Sequence, residues 1–542
     1  MNDIILYILF GLIFAFLVYY FYHVVLGDFR HYLHMFQLNS YFPDRFANWK
    51  KKKQYVFGKA SFWVNIFFFI ALTAVFVLSR KDFILAFGVW MSVLLSTRKK
   101  NSEPVKKPLV YTARIKRMIG VYIAGFILFT AALTILMLPF FEPLYAIMYG
   151  LCFSIYFYAV ANYQEVYIIY YLLNPFEKSL TRKFYKEAET ILDGRSDLIK
   201  IGITGSYGKT STKFILENVL STKYLTLVTP HSFNTTLGVV RTVREHFQGG
   251  LEAFVAEMGA KQTGDIKEIC DLVKPKIGII TAVGPQHLET FGSLDNVIAT
   301  KFELARAIGQ DGVVIVNADD SNILTGMKRY STVNYMTYGE YTDADVRISK
   351  IEVSEKGSTF QVTYQGNTHE YQTRLLGKHN ISNLTAGIAL GLYLGIRPEK
   401  IALGIRETKA VEHRLELKMQ GNYYILDDAF NSNPVGANNA LEVLKSFPNG
   451  NKIVMTPGMV ELGSEDEAIH YEFGKHMAEC VDYAILVGES KTKDIKRGLE
   501  AAAFPAEKIH VVKDVFAGFA KAKELIQDGD ILLIENDLPD NY

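Results

Sequence analysis

"DLIKIGITGSYGKTSTKFILENVL", residues 197–220, decides the fold of the C-terminal part of this 542-residue chain. Its apolar beginning predicts a strand up to Ile203, its glycines predict a tight turn, and its remainder predicts a helix from about Lys209. Backbone N–H groups of such a turn wrap phosphate oxygens, and the helix N-terminus adds partial positive charge. Lys209 would contact the outer phosphates, and the Thr210 hydroxyl would bind Mg²⁺. The stretch therefore predicts a phosphate-binding loop in an α/β domain.

The glycine spacing of this loop is unusual. The common pattern G-x-x-x-x-G-K-[ST] would place a glycine where this chain has Ile203, and its glycines lie instead at 202, 205 and 208. A strand, a turn and a helix that begins with "GKT" still favour a phosphate loop. A glycine-rich turn without a ligand is the alternative at this point.

Composition excludes few classes of protein. A net charge of +2 gives no indication of a nucleic-acid partner. The cysteines Cys152, Cys270 and Cys480 show neither metal-ligand spacing nor a disulfide framework, which is typical of a reducing cytosol. The length predicts roughly two to four domains.

The N-terminal part contains five apolar runs. They lie at 4–26, 61–79, 83–97, 118–140 and 144–165. Because a membrane-spanning helix needs about 20 apolar residues, we predict an α-helical transmembrane domain over residues 1–170 with about five helices. Buried helices of a soluble domain are the alternative, but five such runs would overload a soluble core.

Basic residues predict the orientation of these helices. The loop after the first run and the loop before the fourth run together carry fifteen lysines and arginines. The connection between the second and third runs carries only Arg80 and Lys81. Positive loops stay in the cytoplasm. We therefore expect a multi-pass protein of the cell membrane with its N-terminus outside and residues beyond 170 in the cytoplasm.

Further motifs follow the phosphate loop "TGSYGKTS" in a fixed order. They are "EMGA" (257–260), "GPQHLETFGSLDNVIATKFELARAI" (284–308), "NADD" (317–320), "GKHNISN" (377–383), "HRLE" (413–416), "DDAFNSNP" (427–434) and "TPGMVELG" (456–463). Over about residues 195–490 this series resembles the Mur ligase family, ATP-dependent amide ligases of peptidoglycan precursor synthesis. The resemblance is greatest to the members that add a D-alanyl-D-alanine dipeptide.

The resemblance implies the architecture of the C-terminal part. A basic juxtamembrane linker and helix over 171–194 would precede a central P-loop ATP-binding domain over 195–410 and a Rossmann-like domain over 411–542. The alternating pattern of residues 345–376 predicts antiparallel strands within the central domain. The fold class is thus a helical membrane domain joined to two α/β domains.

The resemblance also implies a two-step reaction and the residues that perform it. ATP would phosphorylate a substrate carboxylate, and an amine would then attack the acyl phosphate and release phosphate. Catalytic roles would belong to Lys209, His287, Lys301 and Arg414. Nucleotide contacts would come from Thr204, Gly205, Ser206, Gly208, Lys209, Thr210, Ser211, Asn380, Asn383, Arg414 and Asp428. Metal ligands would be Thr210, Glu257, His287 and Lys301, the last as a carbamate formed with CO₂.

Several of these residues also have a plainer interpretation. Glu257 suits a solvated strand end, His287 a structural histidine, and Lys301 an exposed position of an amphipathic helix. The asparagines Asn380 and Asn383 suit helix capping as well as the adenine. At Lys301 the chain departs from the family, because Phe302 follows it where a glycine is common.

A pair of residues near the amine substrate is only weakly indicated. His470 and Glu461 lie where the family approaches its amine, and a surface helix explains them equally well. The chain also reads "GDILLIENDLPDNY" near its end, where the dipeptide-adding members have a basic "KGS"-type stretch. These differences affect the choice of substrate more than the chemistry.

The combined expectation is a membrane-anchored, ATP- and Mg²⁺-dependent amide ligase. Its partners would be ATP, an amino acid or dipeptide amine, a carboxylate that is lipid-linked, and membrane lipid, with no nucleic acid. In the family the soluble members begin with a UDP-sugar-binding domain, and membrane spans are expected in its place here. The alternatives are a transport-type ATPase, a ligase of another polymer such as a poly-amino acid, and a nucleotide-binding scaffold without catalysis.

Overall fold

The computed structural model describes residues 2–52, 108–284, 288–340, 343–354, 357–430, 432–460, 462 and 465–537. The chain divides into two compact units, the first ending at Leu180 and the second beginning at Thr181.

The described part of the first unit consists of helices joined by short turns, with a non-helical stretch at 108–112. Its helices are α1 (Asn2–Tyr20), a π-helical turn (Phe21–Val25), α2 (Leu26–Leu38), α3 (Pro43–Lys52), α4 (Ala113–Met137) and α5 (Pro143–Asp193). Three helical segments, Phe10–Leu38, Ala113–Met137 and Pro143–Asp193, are long and apolar enough to cross a membrane. The predicted runs at 61–79 and 83–97 lie outside the described residues. Helix α5 continues through residues 171–193, where the linker is expected.

The second unit begins with a nine-stranded sheet. Its strands are β1 (Ile199–Thr204), β2 (Thr226–Val228), β3 (Ala253–Glu257), β4 (Ile277–Ile280), β5 (Val313–Asn317), β6 (Tyr335–Gly339), β7 (Val346–Ser354), β8 (Gly357–Tyr364) and β9 (Asn367–Thr373). The spatial order is β2-β3-β1-β4-β5-β6-β7-β8-β9. Pairs are parallel up to β6–β7, and β7, β8 and β9 form the predicted antiparallel addition.

Helices cover the two faces of this sheet, as buried parallel strands require. They are α6 (Lys209–Leu220), α7 (Thr236–His246), α8 (Asp265–Val273), α9 (Leu288–Phe291), α10 (Leu294–Lys301), α11 (Glu303–Ile308), α12 (Ser321–Arg329), α13 (Lys378–Tyr393) and α14 (Pro398–Glu407). One apolar core joins α6 and α13 to the sheet, and a second core on the other face joins α8, α10 and α11 to it.

A six-stranded sheet forms the C-terminal domain. Its strands are β10 (Glu416–Gln420), β11 (Tyr423–Asp428), β12 (Lys452–Thr456), β13 (Tyr483–Val487), β14 (Ile509–Val512) and β15 (Ile531–Glu535), in the order β10-β11-β15-β12-β13-β14. Its helices are α15 (Pro434–Lys445), α16 (Asp466–Cys480), α17 (Glu489–Ala501) and α18 (Val515–Leu525). Strands β11 to β15 confirm the predicted Rossmann-like pattern. Strand β10 was not expected, and it pairs antiparallel with β11 at the edge.

Candidate nucleotide and metal site

The candidate site lies at the carboxyl ends of two neighbouring strands. Strands β1 and β3 are parallel, and Ile203 is in register with Glu257. Because parallel strands end at the same edge of a sheet, the loop after β1 and the carboxylate that ends β3 must lie side by side. This topology places the phosphate loop against Glu257.

The phosphate loop has the backbone that its glycines allow. Gly208 precedes helix α6 with φ of 79°, a left-handed conformation that favours glycine. A Cβ atom there would also collide with Oδ1 of Asn383, so both the backbone conformation and this neighbour favour glycine at 208. At the start of the loop, the Thr204 hydroxyl donates to the Met258 carbonyl at 2.9 Å. The Ser206 hydroxyl donates to the Gly284 carbonyl at 3.0 Å.

Lys209 lies within this loop. Its Nζ donates to the carbonyls of Gly205 at 2.6 Å and Ser206 at 3.0 Å. Burial lowers the pKa of Lys209 to about 8, the Glu257 carboxylate opposes the shift, and Arg414 adds to it. The ammonium is therefore placed where the loop would wrap phosphate oxygens, and Ser211 follows on the first turn of α6.

Thr210 and Glu257 form a buried pair of oxygens. The Thr210 hydroxyl donates to Oε1 of Glu257 at 3.0 Å, and the Asn234 amide donates to the same oxygen at 3.2 Å. Glu257 is fully buried, which contradicts the interpretation as a solvated strand end. A hydroxyl and a carboxylate are the hard oxygen ligands that Mg²⁺ prefers. These two residues fit a magnesium ion.

Lys213 is a site residue that the sequence analysis missed. Its Nζ lies 3.2 Å from Oε2 of Glu257, and both side chains are fully buried. The same ammonium donates to the His231 carbonyl. Thus one oxygen of Glu257 is held by Lys213 while the other is directed to Thr210. The signal was the spacing of four from Lys209, which puts both lysines on one face of α6.

Lys301 ends helix α10 in a buried position and is only 2% exposed. Burial lowers its pKa well below the usual value, and Lys209 acts in the same direction. The exposed-helix interpretation is therefore wrong. The large ring that follows, Phe302, stacks on Tyr330 with centroids 5.5 Å apart and occupies space that the absent side chain of Gly326 leaves open.

The two predicted asparagines open helix α13 and are both buried. Asn383 accepts from the Thr212 hydroxyl at 3.3 Å and lies against Gly208, which places it beside the phosphate loop. Asn380 donates to the Leu376 carbonyl at 2.8 Å. Asn383 thus supports the loop directly, whereas Asn380 holds the turn before the helix.

Arg414 reaches the site from the C-terminal domain. The residues on either side, His413 with φ of 59° and Leu415 with φ of 49°, are both left-handed, a costly backbone that marks a constrained loop. The guanidinium lies 4.8 Å above the Phe430 ring. Burial lowers the pKa of Arg414, and the carboxylates of Glu257 and Asp428 oppose this shift. Its charge therefore acts on residues of both domains.

Asp428 ends strand β11 beside this loop. Its Oδ1 accepts from the backbone N–H of Leu415 at 3.0 Å. Burial raises the pKa of Asp428 to about 6, although this hydrogen bond and Arg414 act in the opposite direction. The neighbouring Asp427 accepts from Lys418 and contacts His413, each at 2.8 Å. These contacts fix the arginine loop to the end of β11.

Some predicted residues take other positions or cannot be placed. His287 and Glu461 lie outside the described residues. His470 is buried, not on a helix surface, and its Nε2 accepts from the backbone of Met459 at 2.8 Å. In the "NADD" motif, Asp320 caps α12 and accepts from the Val283 backbone at 2.7 Å, which ties it to the loop after β4.

Comparisons with known proteins agree with this geometry. Residues 203–391 match the Mur ligase middle domain, and residues 413–535 match the Mur ligase glutamate ligase domain. The chain is 32% identical over 347 residues to the UDP-N-acetylmuramoyl-tripeptide–D-alanyl-D-alanine ligase of Bacillus subtilis, covering 62% of this chain and 72% of that protein.

Solved structures show the same similarity. MurF from Acinetobacter baumannii superposes with a TM-score of 0.59 at 27% identity, covering 65% of this chain and 77% of that one. The MurF ligase of Thermotoga maritima in complex with ADP has a TM-score of 0.59 at 24% identity, with 66% and 80% covered, and this supports the fold.

The chain belongs to the Mur ligase family. It is an ATP-dependent, ADP-forming ligase of the Mur type, and the relatives it resembles are those named for the D-alanyl-D-alanine addition.

Proposed function

We propose that this protein is a membrane-anchored ligase that joins an amine to the carboxylate of a cell-wall precursor by way of an acyl phosphate. The observation that carries the proposal is the convergence of Lys209, the Thr210–Glu257 pair and Arg414 around one phosphate loop. Positive groups on two sides of a transferring phosphoryl group are what this chemistry requires.

The residues divide the first step between them. Lys209 and the backbone N–H groups of its loop hold the outer phosphates, and Arg414 approaches from the other domain, so that closure of the domains completes the charge around the phosphoryl group. Asp428 orients the ribose through its carboxylate. Thr210 and Glu257 would hold one Mg²⁺ and His287 would bind a second, and these ions would neutralise phosphate charge.

Lys301 has the environment that carbamate formation needs. Its neutral amine, favoured by burial, attacks CO₂ and releases one proton, which changes the side chain from a cation to an anion. The carbamate would then serve as a ligand or a hydrogen-bond acceptor beside Lys209, whose charge favours it. Phe302, which follows Lys301, is itself buried against Tyr330, so this bulky neighbour does not expose Lys301.

We assign the substrates by their chemistry. The amine is D-alanyl-D-alanine or a related small amino compound, as the names of the relatives suggest. The carboxylate belongs to a muramoyl peptide, and we propose that a lipid carries it, because apolar helices precede the ligase domains and a membrane anchor raises the local concentration of such a substrate.

The test uses the full chain in lipid nanodiscs with ATP, Mg²⁺ and D-alanyl-D-alanine. Two carboxylates are supplied in parallel, UDP-N-acetylmuramoyl-tripeptide and an undecaprenyl-linked muramoyl tripeptide. We expect release of ADP and phosphate only when amine and carboxylate are both present, and mass spectrometry should find the amide on the lipid-linked acid. An amide on the UDP-linked acid alone would refute the lipid-linked substrate.

The same assay separates the ligase from a transport-type ATPase. ATP hydrolysis that is stimulated by a solute but yields no amide would contradict the proposal. The variant Lys209→Ala is the control, because a ligase that uses this loop loses ADP release and amide formation together.

A further inference from the structure

A cluster of unlike side chains bridges two helices of the C-terminal domain, away from the phosphate loop. Glu442 lies on α15, whereas His476 and Cys480 lie four residues apart on α16 and so on one face of that helix. One ligand atom from each lies within 4.8 Å of the other two. Imidazole, thiolate and carboxylate together are the donor set of a zinc-type cation.

Asn438 determines which nitrogen of His476 carries the proton. The Asn438 amide nitrogen donates to the Pro434 carbonyl at 2.8 Å, which fixes the orientation of the amide. Its oxygen therefore accepts at 2.6 Å from Nδ1 of His476. In the neutral imidazole, Nε2 then presents a lone pair. An orienting carbonyl of this kind is the usual partner of a metal-binding histidine.

The lone pair of Nε2 is directed at a carboxylate. Oε1 of Glu442 lies 2.6 Å from Nε2, and two lone pairs at this distance repel unless a proton or a cation lies between them. A proton alone would give an ordinary ion pair and would need no third group. Yet Sγ of Cys480 lies 3.9 Å from the same Oε1, so a soft ligand completes the arrangement.

We propose that Glu442, His476 and Cys480 bind a thiophilic divalent cation such as Zn²⁺, which clamps α15 to α16. The Cys480 thiol loses its proton to solvent on binding, and the thiolate, the imidazole and the carboxylate each form one bond to the cation. The Glu442 side chain is 57% exposed, so solvent leaves room for it to withdraw from Nε2 and admit the ion. Water completes the four-coordinate shell.

The clamp would join two helices of the C-terminal domain that are separate in sequence. Helix α15 starts directly after the loop that follows Asp428, and α16 carries His470, which accepts from the backbone of Met459. A cation between the two helices thus joins the helix that follows Asp428 to the helix that carries His470. Since it binds the folded domain, it raises the free energy of unfolding.

The test is cobalt binding to the full chain, stripped of metal and kept in excess Mg²⁺ so that the hard oxygen site does not compete. We expect one equivalent of Co²⁺ and a thiolate-to-cobalt charge-transfer band. Cys480→Ser should abolish the band and weaken binding at least about tenfold. Cys270→Ser is the matched control, because this buried thiol lies in the central domain beside Met258 and should leave the band unchanged.

Glu442→Gln keeps the proposal falsifiable if Cys480→Ser does not fold. The exposed glutamine should preserve the fold and the band but weaken Co²⁺ binding at least about tenfold. Zn²⁺ should raise the unfolding temperature of the wild type and of Cys270→Ser, but not of Cys480→Ser. A wild-type chain without the band, a band that survives in Cys480→Ser, or undiminished affinity in Glu442→Gln would each leave only an ion pair and overturn the proposal.

Discussion

The two α/β domains contribute to one site by different physical means. In the central domain, Thr210 and Lys213 on helix α6 each donate to the Glu257 carboxylate at the end of β3, and all three side chains are buried. In the C-terminal domain, Arg414 stands on a short loop between two left-handed residues. The first arrangement is rigid because breaking it leaves a buried charge without its partner. The second is held by backbone strain and a few contacts, which suits a group that must arrive when the domains close.

The largest expected effect on catalysis comes from a residue of the central domain. Lys209→Met should lower kcat by on the order of 10³-fold or more, because it removes the positive group that the loop carbonyls hold next to the phosphates. Amide formation in the nanodisc assay measures it. Lys209→Arg keeps the charge but needs more room, so we expect partial activity there. Full activity in Lys209→Met would place phosphoryl transfer elsewhere.

The buried pair of Lys213 and Glu257 should contribute to the free energy of unfolding. Lys213→Met leaves the Glu257 carboxylate buried without its cation, which costs about 3–5 kcal/mol of unfolding free energy. Chemical denaturation of the second unit, followed in the full chain, measures it. Lys276→Met is the control, because the Lys276 side chain is 67% exposed and its ion pair is long at 3.7 Å. Equal midpoints for the two variants would contradict the buried pair.

Arg414→Ala probes the contribution of the C-terminal domain. We expect kcat to fall by on the order of 10²-fold while ADP affinity changes only a few-fold, because the phosphate loop is built by the central domain alone. Calorimetry with ADP and the amide assay separate the two quantities. The exposed Arg406 on α14 provides the control variant Arg406→Ala. A large loss of ADP affinity in Arg414→Ala would mean that the arginine helps to build the ground-state site.

The sequence predicted what local patterns and strand ends determine. The strand, turn and helix around Gly208 follow from residue types, and the proximity of Thr210 to Glu257 follows from parallel strands that end together. The sequence alone does not show that Lys213 is buried. Its ion-pair partner Glu257 belongs to strand β3, which begins forty residues further along the chain. The group of Glu442, His476 and Cys480 was not predicted for the same reason, because its members come from two helices that are far apart in the sequence.

One further element shows why pattern alone was insufficient. Strand β10, "ELKMQ", carries charges that favour no sheet, and it forms because it is an edge strand whose partner β11 supplies the hydrogen bonds. The segment at residues 171–193 is the opposite case, because it was predicted as a basic linker with a helix and helix α5 does run through it.

The smallest expected effect is a pH dependence at Asp428, where the arginine loop meets strand β11. Burial raises the pKa of this carboxyl to about 6, so it becomes protonated and loses its capacity to accept from ribose hydroxyls as the pH falls through that value. We expect ADP affinity to fall a few-fold between about pH 7.5 and pH 5.5, measured by calorimetry.

A change in folding stability caused by protonation of Asp428 cannot explain the weaker ADP binding. Because the folded pKa of Asp428 lies above the ordinary value of about 3.9, the folded protein binds more protons in this window, and Asp428 makes the free energy of unfolding rise as the pH falls from about 6 to about 4. Asp428→Asn should bind ADP more weakly at the higher pH and should lose the part of the pH slope that the carboxyl contributes. The phosphates of ADP titrate equally in both proteins, so the difference between the two pH slopes reports Asp428 alone. Identical slopes would show that ribose binding does not depend on this carboxylate.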